Sequence, residues 1–277
     1  MRLLELLPFA GQASLRESFS GSLRLDETLA AGLLPAREFC SALPRMARHR
    51  IDQILSRHGY CSRSEARGWV KVGRVTVAGE RVRDCGDRVE LAEVRIDGEE
   101  VERPEGLLCL LHKPSGVVCS RDEREGANVF SLLPERWSHR NPPVTTVGRL
   151  DKDTTGVLLV TDEGTLVQRW TSPRHKVPKL YEVVLDRDPE PGLVDLFASG
   201  TLRLPDESDP CLPARLEVTG PCTARVELVE GRYHQVKRMF ASQGLEVLTL
   251  HRSRFGDYDI GGLAPGEWRL LPMPALP

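Results

Sequence analysis

The sequence predicts an α+β protein: a small basic module, then a larger, strand-rich domain. Three observations carry this reading. Between residues 49 and 106, helical spacing of apolar residues gives way to a hairpin pattern. From Leu107 onward, short apolar strands are interspersed with helical stretches without strict βαβ alternation, which argues for a mixed, mainly antiparallel sheet flanked by helices. Charge is also uneven. The net charge is −2, yet the segment from Arg48 to Arg83 carries nine Lys/Arg against three Asp/Glu. An electropositive stretch on a near-neutral chain points to a module devoted to a polyanion.

The elements follow in order. Residues 1–46 mix short apolar clusters with Gly, Ser and Pro, and no helical period persists. They read as an upstream start ahead of Met46 or as a poorly ordered extension, and an extra helix or two fits equally well. Ile51, Ile54 and Leu55 then fall at helical spacing. Ser62 and Glu65 form the S-x-x-E pattern of a capping box, opening a helix from Arg63 to about Val72 with Ala66, Trp69 and Val70 inward. Arg63, Arg67 and Lys71 fall one turn apart on its outer face, with Arg74 beyond Gly73. Val75 and Val77 alternate before an Ala-Gly turn, so "RVTVAGERV" reads as a hairpin. In residues 107–277, "LLCLLHKP", "GVLLV", "KLYEVVL", "ARVELVEG" and "VLTLHR" read as strands. Val236, Met239 and Phe240 are spaced for a helix closed by Gly244, and "LAPGEWRLL" reads as a terminal hairpin.

Several function classes drop out. The longest apolar runs are about five residues, far short of a membrane span. Glu5 and Pro8 interrupt any signal-like start. Seven cysteines with no C-x-x-C pair argue for reduced thiols and a cytoplasmic location, against zinc or a disulfide framework. No P-loop or G-x-G-x-x-G fingerprint is present, so no nucleotide cofactor is expected.

Residues 49–95 resemble an S4 RNA-binding domain. "LHKPSGVVCS", "VGRLDKDTTGVLLVTDEG", "TSPRHKVPKLYEV" and "EGRYHQVKRMFA" resemble, in order, the motifs of the bacterial ribosomal pseudouridine synthases, and most closely their small-subunit, RsuA-type branch. Four motifs in order are far more specific than one: "RLD" recurs at Arg24–Asp26 with nothing around it to support a site. The resemblance implies an S4-like domain over residues 49–106 and a catalytic domain over 107–277. It implies isomerisation of a uridine in 16S rRNA (by family likeness, position 516), needing neither cofactor nor metal. Nothing in the sequence demands an oligomer, so a monomer is expected. The RNA partner is 16S rRNA or a small-subunit assembly intermediate.

That chemistry explains the residues. The N1–C1′ bond breaks, uracil turns, and C5 bonds to C1′. Positive charge develops at the sugar, so a carboxylate near C1′ is useful; glycosidases need two because one must protonate the leaving group. Uracil leaves as a delocalised anion and is retained, so one carboxylate suffices. The resemblance gives this role to Asp151, which either attacks C1′ or removes a C2′ proton. Read by spacing alone, Lys237 is a solvated helix lysine, Tyr181 a core residue of a strand, and Arg149 a surface charge pairing with Asp153. The resemblance instead makes Lys237 the cation that keeps Asp151 ionised and Tyr181 the ring under the uracil. It sets Arg149 against the RNA backbone or in the space left by the extruded nucleotide. Arg232 is expected to meet phosphate, with His234 and Gln235 as scaffolding around it. Arg63, Arg67, Lys71 and Arg74 are expected to track the RNA backbone. A 23S rRNA target and a non-catalytic, S4-bearing assembly factor are the alternatives.

Overall fold

The computed structural model describes residues 47–275, so the expectations for residues 1–46 lie outside it. The basic module comprises β1 (Arg48–Arg50), α1 (Ile51–Arg57), α2 (Ala66–Lys71), β2 (Val75–Val77), β3 (Glu80–Arg81), β4 (Arg88–Glu90), β5 (Val94–Ile96) and β6 (Glu99–Glu100). Its four-stranded sheet runs β3-β2-β5-β6, and β1 pairs with β4. Ile51, Ile54, Leu55, Ala66 and Val70 pack against Val75, Val94 and Ile96. The capping box forms reciprocally. The Ser62 N–H donates to Glu65 Oε2 at 2.8 Å, and the Glu65 N–H donates to Ser62 Oγ at 3.3 Å. Regular helix starts at Ala66 rather than Arg63, because residues 63–65 form the turn that the box closes. Ala78 and Gly79 both take positive φ, +50° and +83°, the pairing a two-residue hairpin turn requires.

The larger part contains β7 (Leu108–Lys113), α3 (Glu135–Ser138), β8 (Thr145–Thr146), β9 (Thr155–Thr161), α4 (Gly164–Thr171), β10 (Lys179–Leu185), α5 (Leu193–Ser199), β11 (Arg215–Gly220), β12 (Thr223–Leu228), α6 (Gln235–Ala241), β13 (Val247–Phe255), β14 (Tyr258–Asp259) and β15 (Trp268–Leu270). Its nine-stranded sheet has the order β11-β12-β10-β13-β9-β7-β15, with β8 on β9 and β14 on β13. All pairings are antiparallel except β13 with β9. The middle of β7 and of β9 is apolar because both faces are covered. Leu107, Cys109 and Leu111 face one core with Trp137, and Leu108 and Leu110 face another with Phe255. The strand order places β9, β10 and β13 at the centre, and their loops converge on one pocket.

The parallel β9–β13 contact depends on a glycine. Gly156 has φ +116°, and a Cβ there would lie 2.2 Å from the Arg252 carbonyl oxygen. One sequence expectation is corrected. The C-terminal strand does not fold into a local hairpin; the Pro265-Gly266 turn exists, but β15 pairs back onto β7. Edge pairing across the sheet covers more apolar surface than a free two-stranded ribbon would.

A buried polar knot joins the basic module to the larger sheet. Arg140 Nε donates to Asp162 Oδ2 at 2.8 Å, with both side chains almost fully buried. Its two terminal nitrogens donate to the carbonyls of Glu102 and Arg103 and to Nδ1 of buried His58 at 3.2 Å. The other Asp162 oxygen accepts the Leu107 N–H at 2.7 Å. The Asn141 N–H donates to the Arg57 carbonyl at 3.0 Å, and a Cβ on Gly59 would clash with the Arg136 carbonyl at 2.4 Å.

Candidate active site

Asp151 sits on the loop between β8 and β9. That loop is held from below by Lys113, fully buried at the end of β7. Its ammonium meets only carbonyls, donating to those of Thr154 at 2.8 Å, Pro114 at 3.1 Å and Lys152 at 3.2 Å. Burial pushes its pKa down, while Cys119, Asp153 and Asp151 partly restore it. The Thr154 N–H closes the loop onto the Asp151 carbonyl at 3.1 Å.

Two cationic or potentially cationic side chains from the other half of the sheet meet the Asp151 carboxylate. His234 Nε2 lies 3.2 Å from Oδ1, and Lys237 Nζ lies 3.5 Å from Oδ2. Lys237 is shared. It is closer to Asp153, at 2.6 and 2.8 Å, and this hydrogen bond pulls the Asp153 pKa down. The Asp151 side chain is 27% exposed, enough for a substrate to reach it. His234 reaches it because the backbone turns left-handed there, φ +47°, immediately before α6, and the imidazole stacks on the Tyr233 ring at 3.8 Å. A left-handed non-glycine residue costs conformational energy, which the contacts around it must offset.

Asp151, Tyr181, Arg149 and His234 line one pocket of about 190 Å³, together with Lys179 and Arg252. Tyr181, on β10, is partly buried and packs against two apolar clusters, one with Val183 and Phe240 and one with Leu111 and Leu158, which hold its ring. Arg149 is exposed at the rim and makes no ion pair among the described residues. The rearrangement of the remaining expectations is informative. Arg149 does not pair with Asp153; Lys237 does. His234, expected as scaffolding, touches Asp151 directly. Arg232 is tied by Glu230, Glu207 and the carbonyls of Asp209 and Pro210, so its guanidinium is occupied within the protein. Gln235 is the scaffold: its Oε1 accepts the Arg232 N–H at 2.8 Å. On the basic module, Arg63, Arg67 and Lys71 are exposed on the outer face of the capped turn and α2. Arg74 leaves that stripe, pairing with Asp97 and stacking on Trp69 at 3.5 Å. Sequence reasoning missed Lys113, Lys179 and the Asp153–Lys237 pair. All four residues lie inside the quoted motifs, but their surroundings and pairing depend on contacts far apart in sequence.

A carboxylate on a loop at the middle of a mixed sheet, beside a lysine and in one pocket with a partly buried tyrosine, next to a small basic module, is the arrangement an RNA-modifying isomerase requires. Residues 108–242 match the model for RNA pseudouridylate synthase, and residues 49–96 match the S4 domain. The chain is 40% identical over 225 residues to ribosomal small subunit pseudouridine synthase A of Escherichia coli K12, covering 80% of this chain and 96% of the relative. The Vibrio parahaemolyticus protein of that name is 40% identical over 229 residues, covering 80% and 95%. A crystal structure of a pseudouridylate synthase superposes with a TM-score of 0.57 at 33% identity, covering 82% of this chain and 96% of that one. The chain belongs to the S4-bearing, RsuA-type family of pseudouridine synthases, enzymes that isomerise uridine in RNA to pseudouridine.

Proposed function

We propose that this enzyme converts one uridine of small-subunit ribosomal RNA to pseudouridine, with Asp151 acting at the ribose. The observation that carries the reading is the Asp151 carboxylate held 3.5 Å from the Lys237 ammonium, on the wall of the pocket that Tyr181 also lines. The extruded uridine enters the pocket with its base on the Tyr181 ring. Asp151 meets the sugar, either at C1′ or at the C2′ proton. Arg149, free at the rim, takes the RNA backbone or the gap in the stack. Arg63, Arg67 and Lys71 hold phosphates without reading sequence, so site choice comes from RNA shape.

The similarity to small-subunit enzymes supports 16S rRNA as the target, and the RsuA-type motifs point to position 516. The S4-like domain takes residues 49–106 and the catalytic domain 107–277, acting as a monomer in the cytoplasm. Among the described residues no helix is long and apolar enough to cross a membrane. The test uses 16S and 23S rRNA tritiated at uracil C5, free and in partial subunits. Release of one tritium per 16S molecule is expected, with the base still attached. Release from 23S alone contradicts the small-subunit target; binding without release contradicts catalysis.

A further inference from the structure

Lys179 stands two residues before Tyr181 on β10, and both line the pocket. Its surroundings differ from those of every other pocket cation. Arg232 is held by two glutamates, Arg252 by the Val157 carbonyl at 2.7 and 2.9 Å, and His234 lies 3.2 Å from Asp151; Lys237, outside the lining, is held by Asp153 and Asp151. Arg149 is free but exposed at the rim. Lys179 alone is partly buried and has neither a hydrogen bond nor an ion pair among the described residues; its ammonium lies 5.7 Å from the Phe255 ring centroid. A second polar group nearby is also unsatisfied. Thr154 Oγ1, on a side chain 1% exposed at the pocket wall, has no hydrogen-bond partner. An unpartnered buried cation is costly, and a pocket keeps one where negative charge arrives during the reaction.

Resting on the isomerase reading of this pocket, we propose that Lys179 is a catalytic residue that stabilises the uracil anion. When the N1–C1′ bond breaks, its electron pair leaves with uracil and spreads onto the exocyclic oxygens. The Lys179 ammonium donates a hydrogen bond to one of those oxygens and keeps its own proton. As the base turns, the anion supplies the electron pair of the new C5–C1′ bond. The C5 proton then departs to water and N1 gains one, so the balance is an isomerisation. The charged groups facing Lys179 are Arg252 on β13 and Glu230 beyond β12, with Asp151 and His234 across the pocket. Burial, and then Arg252, bring its pKa down to about 8 against the pull of Glu230, so the ammonium is present at neutral pH and lost above it.

The test compares wild type, Lys179→Met and Lys179→Arg by tritium release and by RNA affinity from pH 6 to 9. Wild-type release establishes the isomerase reading independently. Lys179→Met is expected to lower kcat by about 10²–10³-fold, the usual loss for one donor to a developing anion, with RNA affinity within about 2-fold. Lys179→Arg is expected to recover at least about tenfold of that and to move the alkaline limb of kcat upward from about pH 8, because a guanidinium stays charged. A Lys179→Met enzyme with wild-type kcat overturns the proposal. So does a loss of RNA affinity at unchanged kcat, which makes Lys179 a phosphate anchor. If Lys179→Met does not fold, the Arg variant decides alone: an unmoved alkaline limb overturns the proposal.

Discussion

Asp151 and Asp153 lie two residues apart and share one lysine, but Asp151 is the one in contact with His234 and on the pocket wall. In the proposed mechanism Lys237 acts at Asp151, although its shorter contacts are to Asp153. Lys237→Met is therefore expected to lower tritium release by about 10²-fold or more, while Asp153→Asn, which frees the lysine for Asp151, stays within about 10-fold of wild type. Single-turnover rates of the two variants check this; equal losses would assign the lysine to loop structure. Tyr181→Phe keeps the stacking face and is expected to stay within about 10-fold, whereas Tyr181→Leu loses about 10–100-fold, the worth of one base on an aromatic ring. At this scale the motifs made Asp151, Tyr181 and Lys237 legible. They did not reveal that His234 touches Asp151, because that depends on a left-handed backbone at one residue. Nor did they expose the isolation of Lys179, which appears only once the cations around it are seen to be paired.

The elements hold the site through buried polar groups as much as through the apolar core. At the junction of the basic module and the sheet, Arg140 satisfies Asp162, His58 and two carbonyls. Removing one member of a buried pair strands the other charge, so Arg140→Met is expected to cost about 3–5 kcal/mol in urea unfolding. His58 gives the same junction a pH dependence. Burial, reinforced by Arg140 and Arg57, lowers its pKa from 6.5 to about 4. The folded state thus holds the imidazole neutral where the unfolded chain would protonate it. Stability is complete above about pH 6.5 and falls as the pH drops toward about 4, by on the order of 3 kcal/mol from this residue. Unfolding midpoints measured across that window should fall less steeply for His58→Asn; identical slopes would remove His58 from the junction's energetics. The capping box and the apolar runs of β7 and β9 were readable because their signals are local. The pairing of β15 with β7 was not, because its partner lies across the whole domain and edge strands carry no mark of the neighbour they choose.

For the whole molecule, a near-neutral chain binds a polyanion by concentrating its free cations. Arg63, Arg67 and Lys71 are exposed and unpaired among the described residues, while Arg74 and Arg232 are spent on internal partners. Replacing the three by Gln is expected to weaken RNA binding and to reduce the salt slope by about 2, since each phosphate contact contributes roughly 0.7–0.9. An unchanged slope would make the stripe an ordinary solvated face. The charge excess between Arg48 and Arg83 announced an RNA-facing module; which cations remain free within it is a property of the folded chain. The proposed chemistry turns on one carboxylate, and the most direct measurement is tritium release from C5-labelled 16S rRNA by Asp151→Asn. The account predicts RNA affinity within about 3-fold of wild type, because Asp151 adds no phosphate contact, and no release above the uncatalysed background. Release at the wild-type rate would contradict it and take Asp151 out of the chemistry.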